Sequence, residues 1–313
     1  MKMTNNLHVV LGASGGLGHA VVQELAKQGK TVRAVNRSGN IDVPSGVEVV
    51  AADTSDLEST IRACQGVSVI YNCVNVPYMD WQEKLPSIYD NIIEAAASVK
   101  AKLVVGDNLY MYGYVDGAIK EDLPYASLER KGQLRIRLAN KIMEAHKNGR
   151  INVTVGRAPD YYGPHAINAA MGERVFEPAL NGGTAMVLGN PDVKHTYIFN
   201  EDFARGLIIL GEKDEALGEV WHIPSAETLT TRQFLNLISE VAGTKLKIRS
   251  ASKFLVSVLG IFSPIMRELK EMMYEWENDY VVDHSKFMNA FEFETTPHID
   301  AIRKTLDWYR TRI

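Results

Sequence analysis

The chain has 313 residues, 46% apolar and 23% charged, with a formal net charge of -4. That is the balance of a globular protein of one large domain or slightly more, and it gives no general attraction to nucleic acid or to a membrane, so neither is expected as a partner. Two cysteines and eight histidines form neither a disulfide framework nor a cluster with carboxylates, so no metal is expected.

In chain order, Leu7–Leu11 reads as a buried strand, and Leu17, Val21 and Leu25 follow at helical spacing. Between them lies Gly12-Ala13-Ser14-Gly15-Gly16-Leu17-Gly18. The glycines of this turn remove the Cβ atoms that would keep the backbone from a pyrophosphate, and the helix N-terminus turns its amides toward the phosphates. This strand–turn–helix pattern predicts nucleotide binding through Gly12, Ser14, Gly15, Gly16, Leu17 and Gly18. With the strand starting so early, no signal peptide is expected. Further strands are expected at 31–35, 47–51, 67–73, 102–105 and 152–156, with helices around 57–63, 88–98 and 134–147. The fold expected is α/β, a doubly wound parallel (Rossmann) sheet.

After Gly163 the alternation weakens. A short strand at 185–188, one at 196–199, a helix at 201–210, a strand at 220–223 and a helix at 232–241 are expected. A helical, aromatic C-terminal part closes the chain. The reading gives a dinucleotide-binding domain over 1–163, with a strand and helix returning around 192–212, and a smaller mixed region over 164–313 that binds substrate and caps the cleft. The most apolar late stretch, 254–265, is broken by Ser257, Gly260, Ser263 and Pro264 and falls short of the roughly twenty residues of a membrane span. The cytoplasm is the expected location.

The end of the second strand decides which nucleotide. An NAD site usually places a carboxylate there, whereas Asn36-Arg37-Ser38 offers a guanidinium for a 2′-phosphate and two hydrogen-bonding neighbours. NADP is therefore preferred and NAD is less favoured, the plainer alternative being that Arg37 stacks on adenine. Asp53, followed by Thr54, sits after the third strand, where it bonds the adenine amino group or caps the next helix.

Together these segments resemble an extended short-chain dehydrogenase/reductase of the NAD-dependent epimerase/dehydratase type. The matching pieces are Gly12 to Gly18, Asp53, Asn72-Cys73-Val74-Asn75, Tyr112-Gly113, Arg157-Ala158-Pro159-Asp160-Tyr161-Tyr162-Gly163-Pro164, His195 to Leu207 and Val281 to Lys286. The resemblance adds Asn75 to the cofactor set. It also implies a Ser or Thr after strand five and a Tyr-x-x-x-Lys on the next helix. Neither is present: Asn108 fills the first position, and Gly132 and Ile136 fill the second pair. The chain looks like an atypical member, in which ordinary triad chemistry and sugar 4,6-dehydration are not expected.

Three residues remain as catalytic candidates. Asn108 hydrogen-bonds a substrate oxygen, and Tyr110 moves a proton unless it is merely packed. Lys131, in Lys131-Gly132-Gln133-Leu134-Arg135, is similar to the Lys-x-x-x-Arg of isoflavone-reductase-like enzymes, where the lysine is acid or base; otherwise it belongs to a basic helix start. Asp160, Tyr161 and His195 are the substrate candidates. The function expected is an NADP(H)-dependent oxidoreductase acting on a small carbonyl or enone substrate. A non-catalytic NADP(H)-binding redox sensor and a sugar-nucleotide epimerase-like enzyme are the alternatives. Assembly into a homodimer is left open.

Overall fold

The computed structural model describes residues 6–312. Strand β1 (Leu7–Leu11) passes through the glycine turn into α1 (Gly16–Lys27), followed by β2 (Thr31–Asn36), β3 (Glu48–Ala51), α2 (Leu57–Ala63), β4 (Val69–Asn72), α3 (Trp81–Val99) and β5 (Lys102–Asp107). Next come β6 (Ala118–Ile119), α4 (Arg130–Lys147), β7 (Asn152–Arg157), β8 (Tyr161–Tyr162), α5 (Glu173–Leu180), β9 (Thr184–Leu188), β10 (Lys194–His195) and β11 (Ile198–Phe199). Helix α6 (Asn200–Glu212), β12 (Val220–His222), β13 (Leu229–Thr230), α7 (Thr231–Ala242) and β14 (Lys247–Ala251) follow. The chain ends with α8 (Lys253–Leu259), α9 (Pro264–Lys270), α10 (Tyr274–Glu277), β15 (Val281–Val282), α11 (Ser285–Ala290) and α12 (His298–Arg310).

Seven strands form one parallel sheet in the order β12-β7-β5-β4-β1-β2-β3. The order reverses between β1 and β4, so the loops leaving these two strands diverge at their carboxyl ends. In an open α/β sheet that is where a ligand is received. Val9, Val10 and Leu11 are buried with Leu17, Val21 and Leu25 of α1, as the two periodicities require. This is the doubly wound α/β fold expected from the sequence.

Two compact units divide the chain. The first runs up to Asp107 and takes in Leu134–Arg157 and Phe203–Ile223; the second comprises Asn108–Gln133, Ala158–Asp202 and the chain from Pro224 on. The sequence reading drew its boundary at 163 and its returning segment at 192–212. The segment that joins the sheet unit is instead 203–223, because β12 pairs with β7 there.

The second unit is built around an aromatic core that includes Tyr162, Phe176, Phe199, Phe234 and Tyr309. Tyr162 packs edge-on to Phe234, ring centroids 4.8 Å apart. Helix α7 opens with a Thr230–Gln233 capping box and closes at Gly243, in the left-handed conformation. The strand expected at 196–199 is not one strand. Its neighbourhood splits into β10, which pairs with β13, and β11, which pairs with β8. Thr196 and Tyr197 lie between them outside any strand: the Thr196 amide bonds Tyr280 O, and its hydroxyl meets Thr228 Oγ1 at 2.8 Å. Helix α4 starts at Arg130, four residues before the expected 134. Among the described residues no helix is long and apolar enough to cross a membrane, and no group of His, Cys, Asp and Glu side chains can hold a metal ion.

Candidate nucleotide and active-site residues

The turn after β1 separates three kinds of glycine. Gly12 has φ +81°, and a Cβ on it would lie 2.7 Å from Cys73 O, so here the β1 loop is pressed against the end of β4. A Cβ on Gly18 would overlap the carbonyl of Gly12 itself, which locks α1 against the turn. Gly15 is different. It has extended backbone (φ -78°, ψ 160°), it is exposed, and its Cβ would meet nothing nearer than Gly12 O at 3.5 Å. The protein's own packing thus requires glycine at 12 and 18 but not at 15, where the missing side chain leaves the turn open to solvent. No side chain caps α1 and no acidic residue lies in its first turn, so the positive end of the helix dipole is not offset from within the helix. This cradle fits the pyrophosphate of a dinucleotide. Ser14 is exposed beside Gly15, whereas Gly16 and Leu17 are buried.

At the end of β2, Asn36 and Ser38 shape their own loop. Asn36 Oδ1 accepts from Gly39 N at 2.7 Å and its Nδ2 donates to Ser38 Oγ and Asn40 O. Arg37, exposed between them, makes no ion pair among the described residues. Asp53 Oδ1 accepts from Ser55 N and Ser55 Oγ at 2.9 and 2.8 Å. Those bonds, helped by the charges of Arg37 and Lys84, hold its carboxyl below the ordinary aspartate range. The cap of α2 itself is Asp56, which accepts from Ser59 N. Thr54 is buried with its carbonyl bonded by Asn91 Nδ2, and Asn75 is exposed after β4. All twelve cofactor candidates lie in the first unit.

A network at the carboxyl edge of the sheet had no local signal in the sequence. Asp107 ends β5 and Arg157 ends β7, opposite each other in the parallel register. Arg157 Nε and Arg135 Nη1 each lie 3.3 Å from the Asp107 carboxylate, and Arg135 also donates to Tyr89 OH at 2.9 Å. The Arg135 guanidinium stands 4.2 Å over the Trp81 ring. All five groups come from the first unit, and they fix the end of the strand from which Asn108 emerges.

In the second unit, Asn108 Oδ1 accepts from Tyr110 N at 3.2 Å, which identifies the oxygen of this amide and leaves its NH2 group as donor. Tyr110 begins a short 3-10 turn to Tyr112 and is buried. A Cβ on Gly132 would overlap the side chain of Ser127 and lie 2.6 Å from Tyr110 O. The place where the resemblance looks for a tyrosine is therefore filled by the chain's own backbone and by Ser127, whose buried hydroxyl has no hydrogen-bond partner among the described residues. Lys131 is buried, and its ammonium is paired with the carboxylates of Glu268 and Glu271 and bonded to Glu268 O at 3.1 Å. Its three protons thus have three oxygen acceptors, two of them anionic.

Asp160 and His195 meet. His195 is fully buried, with Nε2 3.1 Å from Asp160 Oδ2 and Nδ1 3.2 Å from Glu275 O. Trp276 Nε1 donates to the same Asp160 oxygen at 3.2 Å, and the His195 ring stacks on Tyr197 and Tyr280. Tyr161 is only half-buried, in β8. Glu275, which the sequence did not single out, lies in this cluster. Burial and then the negative charge of Asp160 push its carboxyl well above the ordinary glutamate range. Its proton-bearing form is therefore stable at low pH and becomes costly as pH rises above the ordinary glutamate range toward the folded value. Glu275→Gln needs no proton there, so its stability relative to the parent should grow from pH 5 to pH 8, by at most about 1.4 kcal/mol per unit. Thermal melts at several pH values check this; parallel profiles would contradict it.

A parallel sheet of this order with a glycine cradle at its reversal point defines a dinucleotide-binding α/β protein. The chain belongs to the NAD dependent epimerase/dehydratase family, whose model matches residues 8–223. It is 25% identical over 246 residues to the mouse (Mus musculus) sterol-4-alpha-carboxylate 3-dehydrogenase, decarboxylating, covering 73% of this chain and 67% of that protein. Its fold is similar to UDP-glucuronic acid 4-epimerase from Bacillus cereus, solved with NAD and UDP-glucuronic acid, at TM-score 0.80 and 18% identity over 98% of this chain and 100% of that one. It is also similar to dTDP-glucose 4,6-dehydratase from Streptomyces venezuelae, solved with NAD, at TM-score 0.78 and 18% identity over 97% of each chain.

Proposed function

We propose that the protein is an NADP(H)-dependent oxidoreductase acting on a small carbonyl or enone substrate. The observation that carries this reading is Gly15, a glycine the protein's own packing does not require, at the mouth of an uncapped helix, with the exposed guanidinium of Arg37 at the end of β2. Gly12 to Gly18 would hold the pyrophosphate and Arg37 the 2′-phosphate. The nicotinamide, when bound, supplies or accepts a hydride. Asn108 donates from its amide to the substrate oxygen, an assignment consistent with its Oδ1 being engaged by Tyr110 N. The Tyr110 hydroxyl moves the proton at that oxygen, since the Lys131 protons are taken up by Glu268 and Glu271. Asp160, Tyr161 and His195 shape the substrate region of the second unit.

The filled space beside Gly132 supports a second reading, a redox sensor that binds NADP(H) without turnover. Titration of NADPH and NADH by tryptophan fluorescence, followed by a panel of ketones, enones and quinones, separates the two. Oxidation of NADPH by one class supports the enzyme, and tight binding with no turnover supports the sensor. Arg37→Ala should raise the Kd for NADPH by about tenfold or more, equivalent to about 1.4 kcal/mol, and leave NADH nearly unchanged. Equal losses for both nucleotides would assign Arg37 to adenine stacking. Tyr110→Phe should lower kcat by about a hundredfold with NADPH affinity intact. An unchanged kcat would remove Tyr110 from the chemistry.

A further inference from the structure

The segment from β14 to α9 exposes apolar and basic side chains together. Phe254 is 79% exposed, Ile261 68% and Phe262 85%, and Leu255, Val258, Leu259 and Ile265 are exposed as well. At 100° per residue, Phe254, Val258, Leu255 and Leu259 occupy an arc of about 140° on α8, while Val256 points the other way and is fully buried. The apolar face is therefore the helix's outward face, not a frayed core face. Soluble proteins rarely leave so many large apolar groups side by side without a use.

Charge gathers at the same place. Residues 244–270 hold six cations, Lys245, Lys247, Arg249, Lys253, Arg267 and Lys270, against one acid, Glu268: a net charge of +5 within a chain of -4, so the remainder carries -9. Two further acids stand beside this segment, Glu277, which accepts from Lys253 N, and Glu271, which pairs with Lys131, and they leave cations in excess there. All six cationic residues are exposed, and Glu268 is paired with Lys131. We infer that β14, α8 and α9 form an interfacial docking face for an anionic lipid bilayer, which the protein meets from one side without spanning it. Phe254, Ile261 and Phe262 enter the acyl boundary, and the lysines and arginines meet the headgroups. A second copy is a poorer occupant, because a two-fold pairing of this face sets its six cations against their own images. The overall charge of -4 hides this feature, because a surface responds to the charge within a Debye length, about 8–10 Å, and not to that of the whole chain.

The test uses the whole 313-residue chain in flotation with vesicles of phosphatidylcholine alone or with about three-tenths phosphatidylserine, at low salt and at about 0.5 M salt. Binding to the phosphatidylserine vesicles at least about tenfold above the neutral ones, released by salt, is expected. Phe254→Ser/Phe262→Ser changes only exposed side chains and should reduce that binding by about tenfold or more. Changing Lys245, Lys247 and Arg249 to Gln should weaken it by roughly fivefold per residue. Equal binding to both vesicle types, or none, overturns the inference. So does self-association in sedimentation that Phe254→Ser/Phe262→Ser abolishes while vesicles are ignored, which assigns the face to a second copy.

Discussion

Gly18→Ala and Gly15→Ala should fail in different ways. At Gly18 the new methyl overlaps the Gly12 carbonyl and lies 2.9 Å from Ala13 Cα, all backbone that no rotamer change can relieve. Overpacking of this kind costs about 3 kcal/mol, while the gain in helix propensity over glycine returns only about 1, so the net loss is about 2 kcal/mol. The melting temperature should fall by several degrees and nucleotide binding should be lost with the shape of the turn. At Gly15 the extended backbone accepts alanine and the methyl meets nothing closer than 3.5 Å. Stability should stay within about 0.5 kcal/mol, yet affinity for the dinucleotide should drop tenfold or more, about 1.4 kcal/mol, because only the approaching phosphate needs that space. Thermal melts and a fluorescence titration of both variants check the contrast. Unchanged nucleotide affinity in a stable Gly15→Ala protein removes the phosphate role of the turn.

Lys131→Met should be the second large effect, on stability and not first on chemistry. Removing the ammonium leaves the Glu268 and Glu271 carboxylates, both mostly buried, facing a thioether. Breaking a buried pair by deleting one partner costs about 3 kcal/mol or more, whereas replacing every member by neutral groups is often nearly neutral. Lys131→Met should therefore melt well below the parent, and Lys131→Met/Glu268→Gln/Glu271→Gln should recover most of the loss. A Lys131→Met protein of parental stability and no turnover would instead make the lysine an acid or base in the reaction.

The parts of this protein legible in its sequence are those with a local cause. The strand–glycine–helix unit shows itself within twelve residues, and the parallel sheet follows from apolar runs alternating with helical stripes. Arg37 also stands out, because the position it follows ordinarily carries a carboxylate. What stayed hidden depends on residues far apart meeting. Asp107, Arg135 and Arg157 are joined only once β5, β7 and α4 are assembled, and nothing near any one of them announces the others. Ser127 occupies the space beside Gly132, so the missing tyrosine, visible as a substitution, is structurally a closed space. The fate of Lys131 was out of reach for the same reason, its two carboxylates lying more than 130 residues further on. The strand expected at 196–199 failed because periodicity cannot show that the chain leaves β13 after His195 and joins β8 only at Ile198.

Both thiols of the chain are unpaired, and burial pushes Cys64 and Cys73 up to about 12. At pH 7 only about one in 10⁵ of either is thiolate, the form that reacts with a maleimide. A cysteine placed at a surface position such as 262 would keep an ordinary thiol and outcompete both by about three orders of magnitude. The unaltered background thus accepts a single dye or spin label at a chosen site, with neither native cysteine replaced.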